Sequence, residues 1–280
     1  MTISRRFIAM IATFTILAFA ISLLLYALAP VFLVLYHAGI PIGILNAIVV
    51  WGSGYSPAIA AVITAILFRR DLRSFGWGPG KIRYYACALA IAAALVILGK
   101  GLLLLVPGLV SPVSGPAHLD LFALGGTFLF LLALNLGEEI GWRGFLVPEL
   151  MEGTGSFILA GLVSAILWAA WHFPKLLWSN PPGVPVWAAF IDMTIGFIGI
   201  SFVYCWLRLA SGSIWPCLLL HTVSDWIGSC WEPLYVTGQA VHGTAGMVPQ
   251  FGFDIGSSLL LAAIVIWYVK RHPVGVGSAG

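Results

Sequence analysis

The sequence predicts an all-α fold: a polytopic membrane helix bundle of about eight transmembrane helices, forming a single membrane-embedded domain over residues 1–280. Three observations predict it. Hydrophobic residues fill 61% of the 280 positions and charged residues only 8%, where an average soluble domain has about 25% charged residues. Apolar runs long enough to cross the hydrocarbon core, which takes about 20 residues, follow one another from near residue 7 to near residue 269. Between these runs the basic residues sort to one side of a chain that crosses an even number of times.

The first span covers 7–35. Its apolar part is far longer than the roughly 7 to 15 residues of a signal-peptide core, and Pro30 follows the late small-residue site Ala27-Leu28-Ala29. It therefore reads as a transmembrane helix and not as a cleaved leader. Gly39-Ile40-Pro41 separates it from a second span at 44–68, and the glycine-rich run from Gly76 to Gly80 precedes a third at 84–106. Glycine and proline punctuate the rest in the same way. Pro107-Gly108 comes before a fourth span at 120–147, Gly153-Thr154-Gly155 before a fifth at 157–178, and Pro181-Pro182-Gly183 before a sixth at 186–209. The seventh covers 214–231 and the eighth 252–269, after a break over 243–249.

Cytoplasmic loops are enriched in Lys and Arg. With eight spans, Arg5, Arg6, Arg69, Arg70, Arg73, Lys81, Arg83, Arg208, Lys270 and Arg271 all fall on one side, while the opposite loops at 37–43, 107–118, 179–185 and 232–250 contain neither residue. The expectation is a cell-membrane protein with both termini in the cytoplasm and membrane lipid as a partner. Trp77, Tyr84, Tyr85, Trp178, Trp187, Trp231 and Tyr268 lie near span ends and read as interfacial belts. The net charge of +3 comes from the same clustered basic residues, and no nucleic-acid binding is read from it. Cys87, Cys205, Cys217 and Cys230 show no metal or redox spacing and read as small buried side chains.

A charge at the centre of a membrane helix costs at least about 2.5 to 3.5 kcal/mol on insertion scales, so ionisable residues there are functional candidates. The fourth span holds Glu138, Glu139 and Arg143 in Asn135-Leu-Gly-Glu-Glu-Ile-Gly-Trp-Arg-Gly144. Glu139 and Arg143 are four apart and can pair on one helix face, whereas Glu138 points about 100° away and is free to act as a base near neutral pH. The bland alternative is a structural ion pair with a spectator glutamate. In the fifth span Trp168 precedes His172 by four, and in the seventh His221 precedes Asp225 by four. These groups are hard to satisfy unless they meet in one polar centre inside the bundle. Counted from the cytoplasmic span ends at 1.5 Å per residue, Glu138 lies about 14 Å deep, His172 about 22 Å, His221 about 10 Å and Asp225 about 16 Å, with His172 fitting least well. Lys100 reads as snorkelling to the interface. Asp192, His37, His118, His242 and His272 lie near a span end, in loops or in the tail.

These residues resemble the CAAX protease and bacteriocin-processing (Abi) family of intramembrane proteases. The family has two glutamates with Arg after three more residues, matched by Glu138, Glu139 and Arg143. Next come an aromatic residue four before a His, matched by Trp168 and His172, and then a His with Asn or Asp four on, matched by His221 and Asp225. The protease-like core lies at about 119–231. The resemblance implies an intramembrane endopeptidase acting on a membrane-associated or lipidated peptide or protein, for instance a prenylated one. Glu138 and His172 would activate water, and His221 and Asp225 would stabilise the oxyanion, with Glu139, Arg143 and Trp168 in support.

Two positions depart from the family's pattern: Trp168 replaces the usual Phe, a modest change in an aromatic wall, and Asp225 stands where the best-described branch has Asn. An ionised Asp cannot donate a hydrogen bond to an oxyanion, so Asp225 is protonated, orients His221 or binds a cation. No cofactor is certain. Two histidines and a carboxylate with an open position are a known zinc set, which keeps a divalent metal such as zinc open, although His-Glu-x-x-His is absent. Two other readings stand beside the protease: a non-catalytic family member acting as scaffold or bacteriocin-immunity protein, and a proton-coupled transporter.

Overall fold

A computed structural model describes residues 3–103, 110–112, 120–179, 185–231, 235–237 and 244–275. His118, His242 and most of the Lys/Arg-free loops lie outside the described residues, as do the side chains of Lys100, Trp178 and Trp231. The described residues form a polytopic helical bundle. Its helices are α1 (Arg5–Ala27), α2 (Ala29–His37), α3 (Ile42–Phe68), α4 (Arg83–Leu103), α5 (Leu121–Glu139), α6 (Val147–Thr154), α7 (Phe157–Ser179), α8 (Val186–Ser211), α9 (Trp215–Trp231) and α10 (Thr244–Arg271). A helix stands at each of the eight predicted span positions. Among the described residues, five rods are long and apolar enough to cross a membrane by length and composition: those over Arg5–Ala27, Gly43–Phe68, Leu121–Thr154, Phe157–Leu177 and Val186–Ser211. Short strands β1 (Val110–Pro112) and β2 (Tyr235–Thr237) pair antiparallel in the connections after α4 and α9.

Side chains are sorted as lipid requires. Val34, Ile66, Leu67, Leu177 and Leu260 are each more than half exposed, while Glu139 and Arg143 have no exposure at all. In hydrocarbon an apolar surface costs nothing and a charge must find partners inside the bundle. Helix α5 supplies those partners from the middle of the molecule, packed between α3 and α9. Gly137 and Gly141 let α3 come close: a Cβ at Gly137 would stand 2.7 Å from the Gly54 carbonyl oxygen, and one at Gly141 would run into Pro57. Small residues four apart are a recurring means of bringing membrane helices into backbone contact.

Three span boundaries differ from the sequence expectation, one of them at the eighth span, where α10 begins at Thr244 inside the break predicted over 243–249. The single first span predicted over 7–35 is two helices meeting at Leu28, with Pro30 in the first turn of α2, where its missing N–H removes no helical bond. The fourth span runs well past 147. After α5 the chain makes a π-helical turn over Ile140–Leu146 and passes directly into α6, ending at Thr154. Pro148 is in the first turn of α6 and does not break the rod.

The basic ends of the rods are tied together. Arg6 donates to the Phe68 carbonyl at 2.9 Å, and Arg70 bonds Glu149 at 2.7 Å and also Glu152. The 3-10 turn Leu72–Phe75 and the segment after it cover the α8–α9 corner: Ser213 donates to Gly78 O at 2.6 Å, Trp215 Nε1 to Trp77 O at 2.8 Å, and Ile214 N to Gly76 O at 3.0 Å. Arg208, counted in the sequence among the cations on the basic side, is 6% exposed. Its Nε donates to Arg143 O at 2.9 Å and its Nη2 to Ser74 O at 2.8 Å. Tyr84 is no interfacial belt residue either, since it is 8% exposed and packs edge-on against Trp206.

Candidate active site

The end of α5 places Glu138 and Glu139 on different faces, and each meets different chemistry. Glu139 Oε1 accepts from Arg143 Nη1 at 2.8 Å, with both side chains wholly buried. The same oxygen takes His221 Nδ1–H at 2.8 Å. The π turn carries Arg143 between two rings, with its guanidinium carbon 4.0 Å from the Trp168 ring centre and 3.8 Å from that of Tyr204. Arg143 Nε and Nη2 have no hydrogen-bond acceptor among the described residues, and the aromatic faces supply the electron density instead.

Glu138 faces the other way. Its Oε2 accepts the indole N–H of Trp168 at 2.8 Å. This corrects the sequence reading of Trp168 as a modest change in an aromatic wall, because a Phe has no N–H to give. Trp168 is the hub of the site: its ring lies 5.7 Å from His172, 5.5 Å from His221 and 4.1 Å, stacked, from Phe197 of α8.

His172, one turn further along α7, bonds the Trp168 carbonyl through Nδ1 at 2.9 Å. A carbonyl only accepts, so that nitrogen carries the proton and Nε2 is left as the lone-pair face. On α9, His221 is held by Glu139 at one nitrogen, and its Nε2 stands 3.6 Å from Asp225 Oδ2. Asn135, one turn before Glu138, donates from Nδ2 to that same Asp225 oxygen at 3.0 Å.

These groups line one cavity of about 530 Å³, whose wall includes Asn135, Glu138, Trp168, His172, His221 and Asp225. All four ionisable residues singled out for chemistry in the sequence therefore meet, and Glu139 and Arg143 stand immediately behind them. Counted from the end of the fourth rod at Thr154, Glu138 lies about 24 Å along, close to the 22 Å of His172, and the mismatch passes to His221 and Asp225 on α9.

Lys175, Asn135 and Tyr204 are among the cavity residues that had no assigned role in the sequence reading. Lys175 lies one turn beyond His172 on the same wall, and its three-residue spacing from His172 was the available signal. Asn135 was visible one turn before Glu138. Tyr204, against Arg143, carried no signal in an apolar helix.

Among the described residues no three His, Cys, Asp or Glu side chains converge as metal ligands. His172 and His221 each spend Nδ1 on a protein acceptor, which leaves Nε2 of each as the atom a metal would take; no chemical step below passes through a metal.

Long apolar helices in a polytopic bundle, with ionisable side chains gathered in an internal cavity, define an integral, multi-pass membrane protein with a buried polar centre. Residues 120–227 match the family described as type II CAAX prenyl endopeptidase Rce1-like. It is also similar to CAAX prenyl protease 2 of Methanococcus maripaludis, with 31% identity over 91 residues, which is 32% of this chain and 31% of that protein. The matched region thus spans about a third of that relative.

Proposed function

We propose that the chain is an intramembrane endopeptidase that hydrolyses a peptide bond of a membrane-associated peptide or protein. The observation that carries this reading is the meeting of Glu138, His172, His221 and Asp225, from three helices, on one cavity wall. The family supports the same reaction class.

In this reading a water molecule sits between Glu138 and Nε2 of His172. Glu138 takes its proton as the oxygen attacks the carbonyl carbon, and His172 orients the water through its lone pair. The tetrahedral oxyanion is stabilised by donors fixed before the reaction: the Asn135 amide and His221, a ring that donates from Nε2 when it carries both protons. Glu138 returns the proton to the leaving nitrogen as the C–N bond breaks. Asp225 then acts as an anchor. It accepts from Asn135 and lies beside His221, which fits the orienting role among the three left open by its sequence. The family's amide donor has, in effect, moved from α9 to Asn135 on α5. A prenyl or other lipid chain on the substrate would lie along the apolar wall formed by Leu131, Leu134 and Ile227.

The test is cleavage of a panel of membrane-associated and prenylated peptides by the purified chain and by Glu138→Gln, each with and without a chelator. Cleavage by the wild type that the variant loses sustains the reading, and equal rates end it. The chelator is expected to leave the rate unchanged.

A further inference from the structure

Glu138 stands between two cavities. The larger one, described above, reaches from α5 and α7 to α8 and α9. A second, of about 50 Å³, lies on the other side of the same carboxylate, where α5 and α7 face α1 and α3. Leu134, Glu138, His172 and Lys175 belong to both walls. Glu138 and His172 thus form a partition with a chamber on each side.

The small chamber is lined by hydroxyls. Ser22 and Tyr26 come from α1 and Ser53 from α3. Ser22 is 1% exposed, and its Oγ has no hydrogen-bond partner among the described residues. A serine inside a helix commonly bonds the carbonyl four residues back, and Ser22 does not. Leaving a buried hydroxyl unpaired is costly, and an ordered water is a usual remedy. Ser53 donates to Val50 O at 3.2 Å and pairs with the Tyr26 hydroxyl, which Glu138 is near enough to influence electrically. A water takes about 30 Å³ in the liquid, and a buried one makes about three hydrogen bonds. The chamber therefore has room for about one or two waters, and Ser22, Tyr26 and Glu138 offer the partners.

We propose that this chamber is a water-holding site, in which Ser22 keeps a water against the back of Glu138. Its use in catalysis rests on the peptidase reading. A peptide filling the 530 Å³ cavity displaces the water there, at the moment when hydrolysis needs one. The chamber behind the partition lies outside the space the peptide takes and is bounded by both groups that activate the nucleophile. Water held on Ser22 is thus within reach of Glu138 and His172 while the larger cavity is occupied. Ser22 touches the water and not the peptide, so it is a positioning residue.

The experiment pairs crystal structures of the full chain with cleavage kinetics on the same peptide panel. The wild type is expected to show density for a water within hydrogen-bonding distance of Ser22 Oγ. Ser22→Val replaces the hydroxyl by methyl groups and is expected to empty the chamber. Its kcat should fall about tenfold, as for the loss of one hydrogen bond to the water, with KM and the melting temperature in detergent unchanged. Ser22→Ala, which adds no bulk, should lose rate in the same way, and Ser22→Thr, which keeps the hydroxyl, should retain both the density and the rate. A dry chamber in the wild type overturns the proposal, as does an unchanged kcat in both Ser22→Val and Ser22→Ala. A loss of rate that Ser22→Thr shares, or that comes with a lower melting temperature in Ser22→Ala, assigns Ser22 to packing and also overturns it. A chain that cleaves peptides around a dry chamber loses this inference alone. One that holds the water, and loses it with the hydroxyl, but cleaves nothing loses the peptidase reading alone.

Discussion

The two sides of α5 hold adjacent glutamates in opposite circumstances. Behind the helix, Glu139 and Arg143 are sealed with no exposure, Glu139 bonded to His221 and Arg143 held between the Trp168 and Tyr204 rings. In front, Glu138 looks into a cavity with Asn135, His172 and an Asp225 side chain that is 44% exposed. One carboxylate holds the machinery in place, and its neighbour is left able to exchange a proton. Membrane burial forces this division, since two adjacent unpaired carboxylates in hydrocarbon would be too costly to keep.

If the contrast is real, the two sides should break differently. Glu138→Gln keeps an acceptor for Trp168 but cannot take a proton. Its cleavage rate is expected to fall about 10²- to 10⁴-fold with the melting temperature in detergent unchanged. Arg143→Met does the reverse, because it strands Glu139 in the sealed pocket at a cost of about 3 to 5 kcal/mol. Thermal unfolding should show the loss, and adding Glu139→Leu should recover most of it; a double variant as unstable as the single one breaks the comparison.

Asn135→Leu removes one donor in front and is expected to slow cleavage about 10²- to 10³-fold, seen in kcat with KM little changed. The smallest effect is expected from Trp168→Phe, which removes one hydrogen bond to a charged group worth about 1.5 kcal/mol, or about tenfold in rate. A Trp168→Phe chain cutting at the wild-type rate would show that the indole N–H is only packing.

Much of this was legible in the sequence because lipid imposes simple rules. Twenty-residue apolar runs must be helices, and Glu139–Arg143 or His221–Asp225 at a spacing of four must share a face. What was not legible depended on how helices meet. The π turn passes straight into α6, so the rod runs on to Thr154 past the 147 at which hydropathy placed its end. Arg208 looks like any other cation on the basic side until its bonds to the carbonyls of Ser74 and Arg143 are seen. Trp168 carries the aromatic pattern shared with Phe, and only the position of Glu138 across the helix interface gives its N–H a purpose. Asn135 and Lys175 are each one turn from a recognised residue, but a single polar side chain on an apolar helix does not say whether it faces lipid or a cavity.

The rod Leu121–Thr154 is 34 residues long, and Glu138 lies halfway along it. It acts as a ruler. With about 30 Å of hydrocarbon to cross, the midpoint is about 15 Å from either membrane surface, a distance that an extended strand covers in about five residues at 3.3 Å each. A peptide threading in by one end must therefore surrender that many residues to the interior before a bond meets the carboxylate. Short extensions beyond the membrane surface would go uncut however well their sequence fits.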